Sequence, residues 1–342
     1  METDMKIAKT DIFKKKFDFT ADKIVVTTFS EKNLLELATQ DKIFHKQYVQ
    51  LIENDYMLYM HTKSSSYFIK RSKIYTIWQR KDLIQYNDLF YTIEKPVKEN
   101  VCAPTRLVVV FSSLPVSANY YSPNIATRCF ATDFAGLSKQ TIKNTIIMRI
   151  MDLNLSHGSY YLNTFNYPTF EQDIQEAIQL IIGENQIDAE DVVLYGSCKG
   201  GTGALYHSYL GNYKTVSVCP TIHLVGGSAE SLDSSLLEKL KSDSILTSLK
   251  KQKNKADKER IIIGSPIDFS DYEKYQDVLS KNTKIINIFD PLIKQQSDIS
   301  ENSSIEQITF INQLLLESEN LKKEHEKLVE LSTEIKKQDM LS

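Results

Sequence analysis

A strand, a glycine-bounded turn and the start of a helix follow one another within residues 191–207, and this order constrains the fold more than any other feature of the sequence. The apolar run Val192-Val-Leu-Tyr195 predicts a buried strand, and a helix is expected after the frame Gly196-Ser197-Cys198-Lys199-Gly200. The frame is typical of a nucleophile elbow, in which a tight turn exposes the central side chain above a parallel sheet. Cys198 is therefore the predicted nucleophile, and the neighbouring hydroxyl of Ser197 is a second candidate.

The other residues of the frame have physical reasons of their own. Gly196 and Gly200 stand where a sharp turn brings neighbouring backbone too close for a side chain. The helix that follows directs free N–H groups and a partial positive charge at the turn, which stabilises an oxyanion and favours a thiolate. We expect the oxyanion hole to combine the backbone N–H of Lys199 with one from Ser113 or Leu114, in the loop after the first core strand. The alternative is a glycine-rich turn without chemistry.

Composition narrows the range of functions. The chain of 342 residues has 41 Lys and Arg against 44 Asp and Glu, a formal charge of -3, so no basic excess indicates nucleic-acid binding. Its 4 cysteines are far apart, which argues against a metal site or a disulfide framework and favours a reducing cytoplasm. The sequence contains no apolar signal segment and no stretch long enough to span a membrane, so we expect a cytoplasmic protein.

The first part of the chain differs in pattern from the rest. Residues 1–100 carry short aromatic and β-branched runs, which predict a small β-rich or mixed N-terminal unit. A polar segment containing a proline, 94–100, marks its predicted boundary. The expected strands of this unit include 56–60, 66–69 and 73–78.

The remaining chain alternates apolar strands with helical periodicity. This alternation predicts an α/β domain over residues 101–312, with a parallel sheet covered by helices on both faces. A helical insert is expected at 228–258 and a helical extension at 313–342, as the end of one long helix that begins near 304. The expected core strands are 106–111, 144–151, 192–195, 214–219, 260–263 and 284–289.

The partners of the nucleophile can be sought by position, because a hydrolase triad runs nucleophile, acid, histidine in chain order. Asp268 follows the strand 260–263 and is the predicted acid, with Asp271 in reserve, although either is also a plausible helix N-cap. No histidine follows the strand 284–289 before His325 on the terminal helix.

Other histidines are therefore considered for the base. His223, in the loop after the strand 214–219, is the candidate, and a solvated loop histidine is the alternative. His157 also lies at the carboxyl end of a strand, where it could face a ligand, whereas His207 is expected to pack inside the elbow helix. A cysteine needs a strong base less than a serine does, because a helix N-terminus or a cation such as Lys199 favours the thiolate. A thiol enzyme with a reduced triad and an elbow that has lost its serine and histidine both remain open.

Three segments together resemble a known family. Tyr195-Gly-Ser-Cys-Lys-Gly-Gly-Thr-Gly-Ala-Leu-Tyr206, Met148-Arg-Ile-Met-Asp152 and Gly158-Ser-Tyr-Tyr-Leu162 resemble the XcbB/CpsF-type capsular polysaccharide biosynthesis proteins, which look like α/β-hydrolase relatives of bacterial glycan O-acetyltransferases. The resemblance covers roughly residues 104–300. It maps the family's nucleophilic serine to Cys198 and its acid to Asp268, while its histidine has no match near 294–296.

The resemblance implies an acyl transferase or esterase that acts on a capsular or other cell-surface glycan, or on its precursor. Its donor would be acetyl-CoA or a similar compound rather than a bound cofactor, and it would work through an acyl-enzyme in the cytoplasm. Protein partners in a capsule assembly complex near the membrane are also implied. The competing hypothesis is a catalytically degenerate scaffold or glycan-binding protein of polysaccharide biosynthesis, with the N-terminal unit and the terminal helix as contact surfaces.

Overall fold

The computed structural model describes residues 5–14, 16–98, 103–224, 230–255, 257–267 and 269–317. Within these ranges the chain forms a small N-terminal sheet of four strands and a large sheet of eight. The strands are β1 (Ile7–Asp11), β2 (Lys23–Thr27), β3 (Tyr56–Thr62), β4 (Ser65–Lys70), β5 (Ile84–Tyr86), β6 (Leu89–Glu94), β7 (Arg106–Phe111), β8 (Thr145–Ile150), β9 (Val192–Ser197), β10 (Lys214–Val218), β11 (Arg260–Gly264) and β12 (Thr283–Asn287). The α-helices are α1 (Leu34–Ala38), α2 (Lys42–Glu53), α3 (Ile125–Cys129), α4 (Leu137–Gln140), α5 (Phe170–Glu184), α6 (Lys199–Gly211), α7 (Glu230–Leu240), α8 (Ile245–Gln252), α9 (Phe269–Tyr272), α10 (Tyr275–Val278), α11 (Gln296–Glu301) and α12 (Ser304–Leu316).

The large sheet has the strand order β12-β11-β10-β9-β7-β8-β6-β5. Strand β6 runs antiparallel to β5 and β8, and the other pairs are parallel. The predicted α/β-hydrolase-like fold class is therefore confirmed. Strands β5 and β6 precede residue 100 yet belong to this sheet, so the division between the two sheets falls between Lys70 and Ile84.

Strands β7 to β11 are buried along their whole length because both faces of the sheet are covered. In β7, Leu107, Val109 and Phe111 pack in one cluster with residues of α5 such as Ile178. The alternate residues of the strand, represented by Val108, pack on the opposite face in a cluster that includes side chains of α12. This burial on both faces explains why the runs that mark β7 and β11 are apolar after their first residue.

The small sheet has the order β1-β2-β4-β3, with β1 and β2 parallel and the other pairs antiparallel. The strand expected at 73–78 is wrong, because a 3₁₀ helix occupies Arg71–Ile77. Its two buried residues, Arg71 and Ile74, are three apart, which is the 3₁₀ period. The Arg71 guanidinium binds the carboxylates of Asp55 and Asp88, so tertiary contacts override the local β-propensity.

The helical insert expected at 228–258 contains α7 and α8. The long C-terminal helix is described as α12 up to Leu316, and its expected continuation through 318–342 lies outside the described residues. Among the described helices, none combines the length and apolar character that crossing a bilayer requires.

Strand β9 lies inside the large sheet between β7 and β10, and these three strands are parallel. The loops that leave their carboxyl ends therefore meet at one edge, where ligands of open α/β sheets bind. The elbow residue Cys198 begins one of these loops.

Candidate active site

The elbow holds Cys198 in a backbone conformation that residues with a side chain rarely adopt. Its φ is 49° and its ψ is -117°, between the end of β9 and the first turn of α6. The Cys198 N–H donates to Val218 O at 2.9 Å, and its carbonyl accepts from Thr202 N–H at 3.0 Å. Such a conformation costs about 1–3 kcal/mol and persists where the surrounding structure enforces it, most often at functional sites.

Two glycines make this turn possible. A Cβ on Gly196 would lie 2.2 Å from Gly200 O, and a Cβ on Gly200 would lie 2.0 Å from Phe111 O. Neither position has room for a side chain, because the atoms that it would meet belong to the backbone. The frame therefore needs glycine at both places for the close approach that the sequence predicts.

The Cys198 thiol is partly exposed and lies at the N-terminus of helix α6. Its Sγ is 3.5 Å from the Sγ of Cys219, a buried residue just after β10. Within the described part of the chain, no imidazole is among the hydrogen-bond partners of the Cys198 thiol. Ser197 is the last residue of β9 and is buried, so it sits within the strand and Cys198 forms the turn.

The candidate base, His223, is exposed on the loop after β10. Its backbone N–H donates to Asp271 Oδ1 at 2.8 Å, and it lines a cavity of about 190 Å³ together with Lys241 and Asp243. This loop adjoins the elbow, since the N–H of Thr221 donates to the Cys198 carbonyl at 3.4 Å. His223 therefore remains a candidate base because its loop is bonded to the elbow.

The two other histidines near the elbow that were considered from the sequence, His157 and His207, have structural roles. The ring of His157 stacks on Tyr120 with centroids 3.9 Å apart, and its Nε2 bonds to the Tyr120 carbonyl at 2.7 Å. His207 is buried in α6. Its Nδ1 forms a hydrogen bond with Gln175 Nε2 at 2.9 Å, and its Nε2 forms one with the Tyr161 carbonyl at 2.9 Å. Burial lowers the pKa of His207 to about 4, so its imidazole is neutral at physiological pH.

The predicted acid, Asp268, lies outside the described residues. The reserve acid, Asp271, is buried on α9, and its Oδ1 accepts the N–H groups of Ile222 at 3.1 Å and His223 at 2.8 Å. Asp271 therefore fixes the loop that carries the candidate base.

A glutamine occupies the topological position of a triad histidine. Gln296 is the first residue of α11, after the last strand of the sheet, β12. Its Nε2 donates to the carbonyl of Cys219 at 3.0 Å, and Cys219 in turn contacts Cys198. An amide can donate and accept hydrogen bonds but cannot take up a proton at neutral pH as an imidazole does.

Lys199 does not present its charge to the site. Its side chain is buried, with Nζ 3.3 Å from Asp152 Oδ2 and 2.6 Å from the carbonyl of His157. Gly158, at φ 108°, passes so close that a Cβ would lie 2.2 Å from Asp152 Oδ2. The sequence predicts that the Lys199 charge favours the Cys198 thiolate. In the structure this charge binds Asp152 and the His157 carbonyl instead, so Lys199 holds α6 against the loop after β8.

Desolvation raises the pKa of Asp152, while the Lys199 charge opposes that rise. The backbone N–H of Lys199 remains suited to an oxyanion, because the first residue of a helix has no intrahelical acceptor for its N–H.

Of the two N–H groups expected in the second half of the oxyanion hole, that of Ser113 is already bonded. The N–H and Oγ of Ser113 donate to the two carboxylate oxygens of Asp133, each at 2.6 Å. Burial raises the pKa of Asp133, and its bonds to Ser113 oppose that rise. Leu114 is partly buried and its carbonyl accepts from Ser113 Oγ at 3.1 Å. An oxyanion could use the Ser113 N–H only after Asp133 releases it.

Four residues around the elbow were not assigned a role from the sequence. Asp133 and Gln296 belong to no motif, and Asp152 only ends a segment of the family resemblance; the strand order brings all three near the turn. Cys219 was recognised as one of four scattered cysteines. Its place at the end of the expected strand 214–219, which the structure pairs with β9, is the signal that could have joined it to Cys198.

A scan against protein-family models and a search of curated proteins found no match for this chain. Solved structures similar to it include the Glycosylation Associate Protein (Gap123) complex from Streptococcus agalactiae, with 16% sequence identity and a TM-score of 0.46 over 69% of this chain. The chain spans 46% of that protein's length. The capsule O-acetyltransferase of Neisseria meningitidis serogroup A has 15% identity and a TM-score of 0.45, over 68% of this chain and 93% of its own. Est1E from Butyrivibrio proteoclasticus has 11% identity and a TM-score of 0.44, over 69% and 97% of the two chains.

Proposed function

We propose that the protein is an acyl transferase or esterase of the α/β-hydrolase type in which the Cys198 thiolate is the nucleophile. The observation that carries the proposal is the Cys198 backbone, with φ at 49° and ψ at -117°. This conformation places a partly exposed thiol at the N-terminus of a 13-residue helix. Helix N-termini favour thiolates and oxyanions, and both species arise in acyl transfer.

The reaction would proceed in two steps. In the first, the Cys198 sulfur attacks the carbonyl carbon of the donor, the C–S bond forms, and the carbonyl electron pair moves onto oxygen near the Lys199 N–H. Collapse of this oxyanion expels the donor's thiolate or alkoxide, which takes a proton from water. In the second, an acceptor hydroxyl or water attacks the thioester carbon, gives its proton to solvent or to His223, and releases the Cys198 thiolate.

The acceptor we propose is a hydroxyl of a capsular or other cell-surface glycan or its precursor, with acetyl-CoA as the donor. This part of the proposal is supported by the sequence resemblance at the elbow and its two flanking segments. Its test is acetyl transfer to a panel of polysaccharides and their nucleotide-sugar precursors, scored by the mass of the acceptor.

Intact-protein mass spectrometry tests the nucleophile. Purified protein incubated with acetyl-CoA or p-nitrophenyl acetate and quenched in acid should gain about 42 Da, on the tryptic peptide 150–199 that contains Cys198. Cys198→Ala should abolish the adduct, whereas Ser197→Ala, its matched control, should retain it. The adduct should not form when the reaction is run in urea, because catalysed acylation needs the folded site. Labelling of an accessible thiol without catalysis would continue in the unfolded protein. Absence of both adduct and hydrolysis would overturn the proposal.

One observation favours a second function, that of a non-catalytic scaffold in glycan assembly. Gln296 stands at the histidine position and bonds to a backbone carbonyl, as expected if the site had lost its proton-transfer group. A protein of this kind would bind a glycan or partner with the same affinity after Cys198→Ala. Unchanged affinity together with an absent adduct would therefore favour the scaffold.

A further inference from the structure

Two thiols face each other at the elbow. The Sγ atoms of Cys198 and Cys219 are 3.5 Å apart, and no disulfide joins them in this structure. Cys198 is partly exposed to solvent, whereas Cys219 has no exposed surface.

The register of the sheet produces this contact. Ser197 at the end of β9 pairs with Val218 at the end of β10, so Cys198 and Cys219 are the next residues of two adjacent parallel strands. Neighbouring strands lie about 4.8 Å apart, which falls within the Cα separation that a disulfide spans. Both residues have positive φ, 49° for Cys198 and 37° for Cys219, and the Cys219 N–H is fixed to Ile263 O at 2.7 Å.

We propose that Cys198 and Cys219 form a redox-active dithiol, in which a hydroperoxide oxidises Cys198 and Cys219 then closes a reversible disulfide. The Cys198 thiolate attacks one peroxide oxygen, the O–O bond breaks, and the leaving oxygen takes a proton, which gives a sulfenic acid and water or an alcohol. The Cys219 sulfur then attacks the Cys198 sulfur, the S–OH bond breaks, and the hydroxide leaves as water with the Cys219 proton. Two thiols have together given two electrons to the peroxide.

The difference in exposure between Cys198 and Cys219 indicates which of them reacts with peroxide and which closes the disulfide. Peroxide can reach the partly exposed Cys198, while Cys219 is buried in an apolar cluster with its sulfur 3.5 Å from that of Cys198. The Gln296 amide bonds to the Cys219 carbonyl at 3.0 Å, which holds the backbone of the resolving cysteine in place. Closing the bond brings the sulfurs about 1.5 Å nearer, since a disulfide measures about 2.05 Å.

The disulfide would block the elbow sulfur until a dithiol reductant restores it. The inference rests on the contact between the sulfurs and on their exposure, so it stands whether or not Cys198 transfers acyl groups. The two chemistries are also distinct in mass, because acetylation adds about 42 Da whereas the disulfide removes about 2 Da.

The test is peroxide oxidation of the full chain followed by mass spectrometry without reduction. Trypsin places each cysteine in a different peptide: 99–106 holds Cys102, 129–139 holds Cys129, 150–199 holds Cys198 and 215–239 holds Cys219. Wild-type protein should yield a cross-link between the last two peptides, which dithiothreitol reverses. In a mixture of isotope-labelled and unlabelled protein, the cross-linked peptides should be both light or both heavy, as an intramolecular bond requires.

A variant supplies the second measurement. Cys219→Ser lacks the resolving thiol, so Cys198 should proceed to sulfinic acid, with a gain of about 32 Da that dithiothreitol does not reverse. We expect the over-oxidised fraction to rise about tenfold over wild type at equal peroxide. Cys129, which is buried and contacts Ser156 O at 3.5 Å, is the internal control and should stay reduced.

The proposal is overturned if Cys198 stays reduced while a small-molecule thiol, treated with the same peroxide in a separate tube, is oxidised. It is equally overturned if Cys198 links to another peptide, or if wild type and Cys219→Ser over-oxidise at the same rate.

Discussion

The ion pair between Lys199 and Asp152 is buried completely, with both side chains 0% exposed and 3.3 Å between Nζ and Oδ2. Removing one partner leaves the other charge without compensation in a low dielectric, which typically costs several kcal/mol. We predict that Lys199→Met lowers the free energy of unfolding by about 3–5 kcal/mol, measured by urea denaturation at neutral pH.

Two comparisons make that prediction specific. Lys199→Met combined with Asp152→Asn should recover part of the loss, because the buried charge is then gone. Lys284→Met removes a surface ion pair with Glu259, in which the Lys284 side chain is 66% exposed. This variant should lower the free energy of unfolding by less than about 1 kcal/mol. A Lys199→Met protein as stable as the Lys284→Met protein would contradict the role assigned to the buried pair.

The buried imidazole of His207 gives the protein a pH dependence. In the unfolded chain it takes up a proton near its ordinary pKa of about 6.5, but burial lowers the pKa in the folded protein to about 4. Between these values the unfolded state binds more protons, so the stability contributed by this group falls as pH falls from about 6.5 to about 4, by up to about 3 kcal/mol.

We predict that His207→Gln, which keeps a donor for the Tyr161 carbonyl, flattens the fall in the urea midpoint over this pH range. The matched control is the range from about pH 7.5 to about pH 8.5, in which the two proteins should show parallel midpoints because the His207 imidazole is neutral in both the folded and the unfolded state. Equal slopes in wild type and His207→Gln over the acidic range would refute the assignment.

At the scale of elements, the strand–turn–helix unit depends on glycine at Gly200. A Cβ there would lie 2.0 Å from Phe111 O, so β7 and α6 would have to separate. We predict that Gly200→Ala reduces the yield of folded protein or lowers its stability by more than about 2 kcal/mol. Gly183→Ala in α5 is the control, since its Cβ meets nothing within 4 Å and alanine favours a helix by about 0.5–1 kcal/mol. Similar urea midpoints for the two variants would contradict this account.

The elements that could be predicted from the sequence are those whose pattern comes from burial on both faces. After an initial arginine the runs 106–111 and 260–263 are wholly apolar, and they predict β7 and β11 because a strand inside a covered parallel sheet buries both of its faces. The run 73–78 is also rich in β-branched and aromatic residues, but most of it lies in the 3₁₀ helix Arg71–Ile77, since the Arg71 guanidinium is fixed by the carboxylates of Asp55 and Asp88.

The candidate site is likewise predictable from the sequence only where a local pattern encodes it. The motif identifies Cys198 because the turn is encoded within five consecutive residues. The contacts of Gln296 and Asp133 depend on strand order and loop path, which no local pattern encodes.

At the scale of the whole molecule, the two sheets share packing. Trp78, the one tryptophan of the chain, packs in a cluster with Met57 of the small sheet and Phe90 of the large sheet. Arg128 bonds through Nη2 to Leu58 O at 2.7 Å on β3, and through Nε to Ser156 O at 3.1 Å in the loop after β8.

Because of these shared contacts, we predict one cooperative unfolding transition. The urea midpoint from tryptophan fluorescence should coincide with the midpoint from far-UV circular dichroism. Arg128→Met should lower both midpoints together, because it removes bonds on either side of the junction. A fluorescence transition well below the dichroism transition would instead indicate that the N-terminal unit unfolds separately.

The glutamine at the carboxyl side of β12 also has a consequence at the level of the gene. A glutamine codon becomes a histidine codon by a change in its third base, and a cysteine codon becomes a serine codon by a single change. The gene is thus two point mutations from encoding a serine at Cys198 and a histidine at Gln296, on a turn that already holds its central residue at φ 49° and ψ -117°. A lightly mutagenised library of this gene, screened on an ester that releases a coloured alcohol, would sample every step of that path.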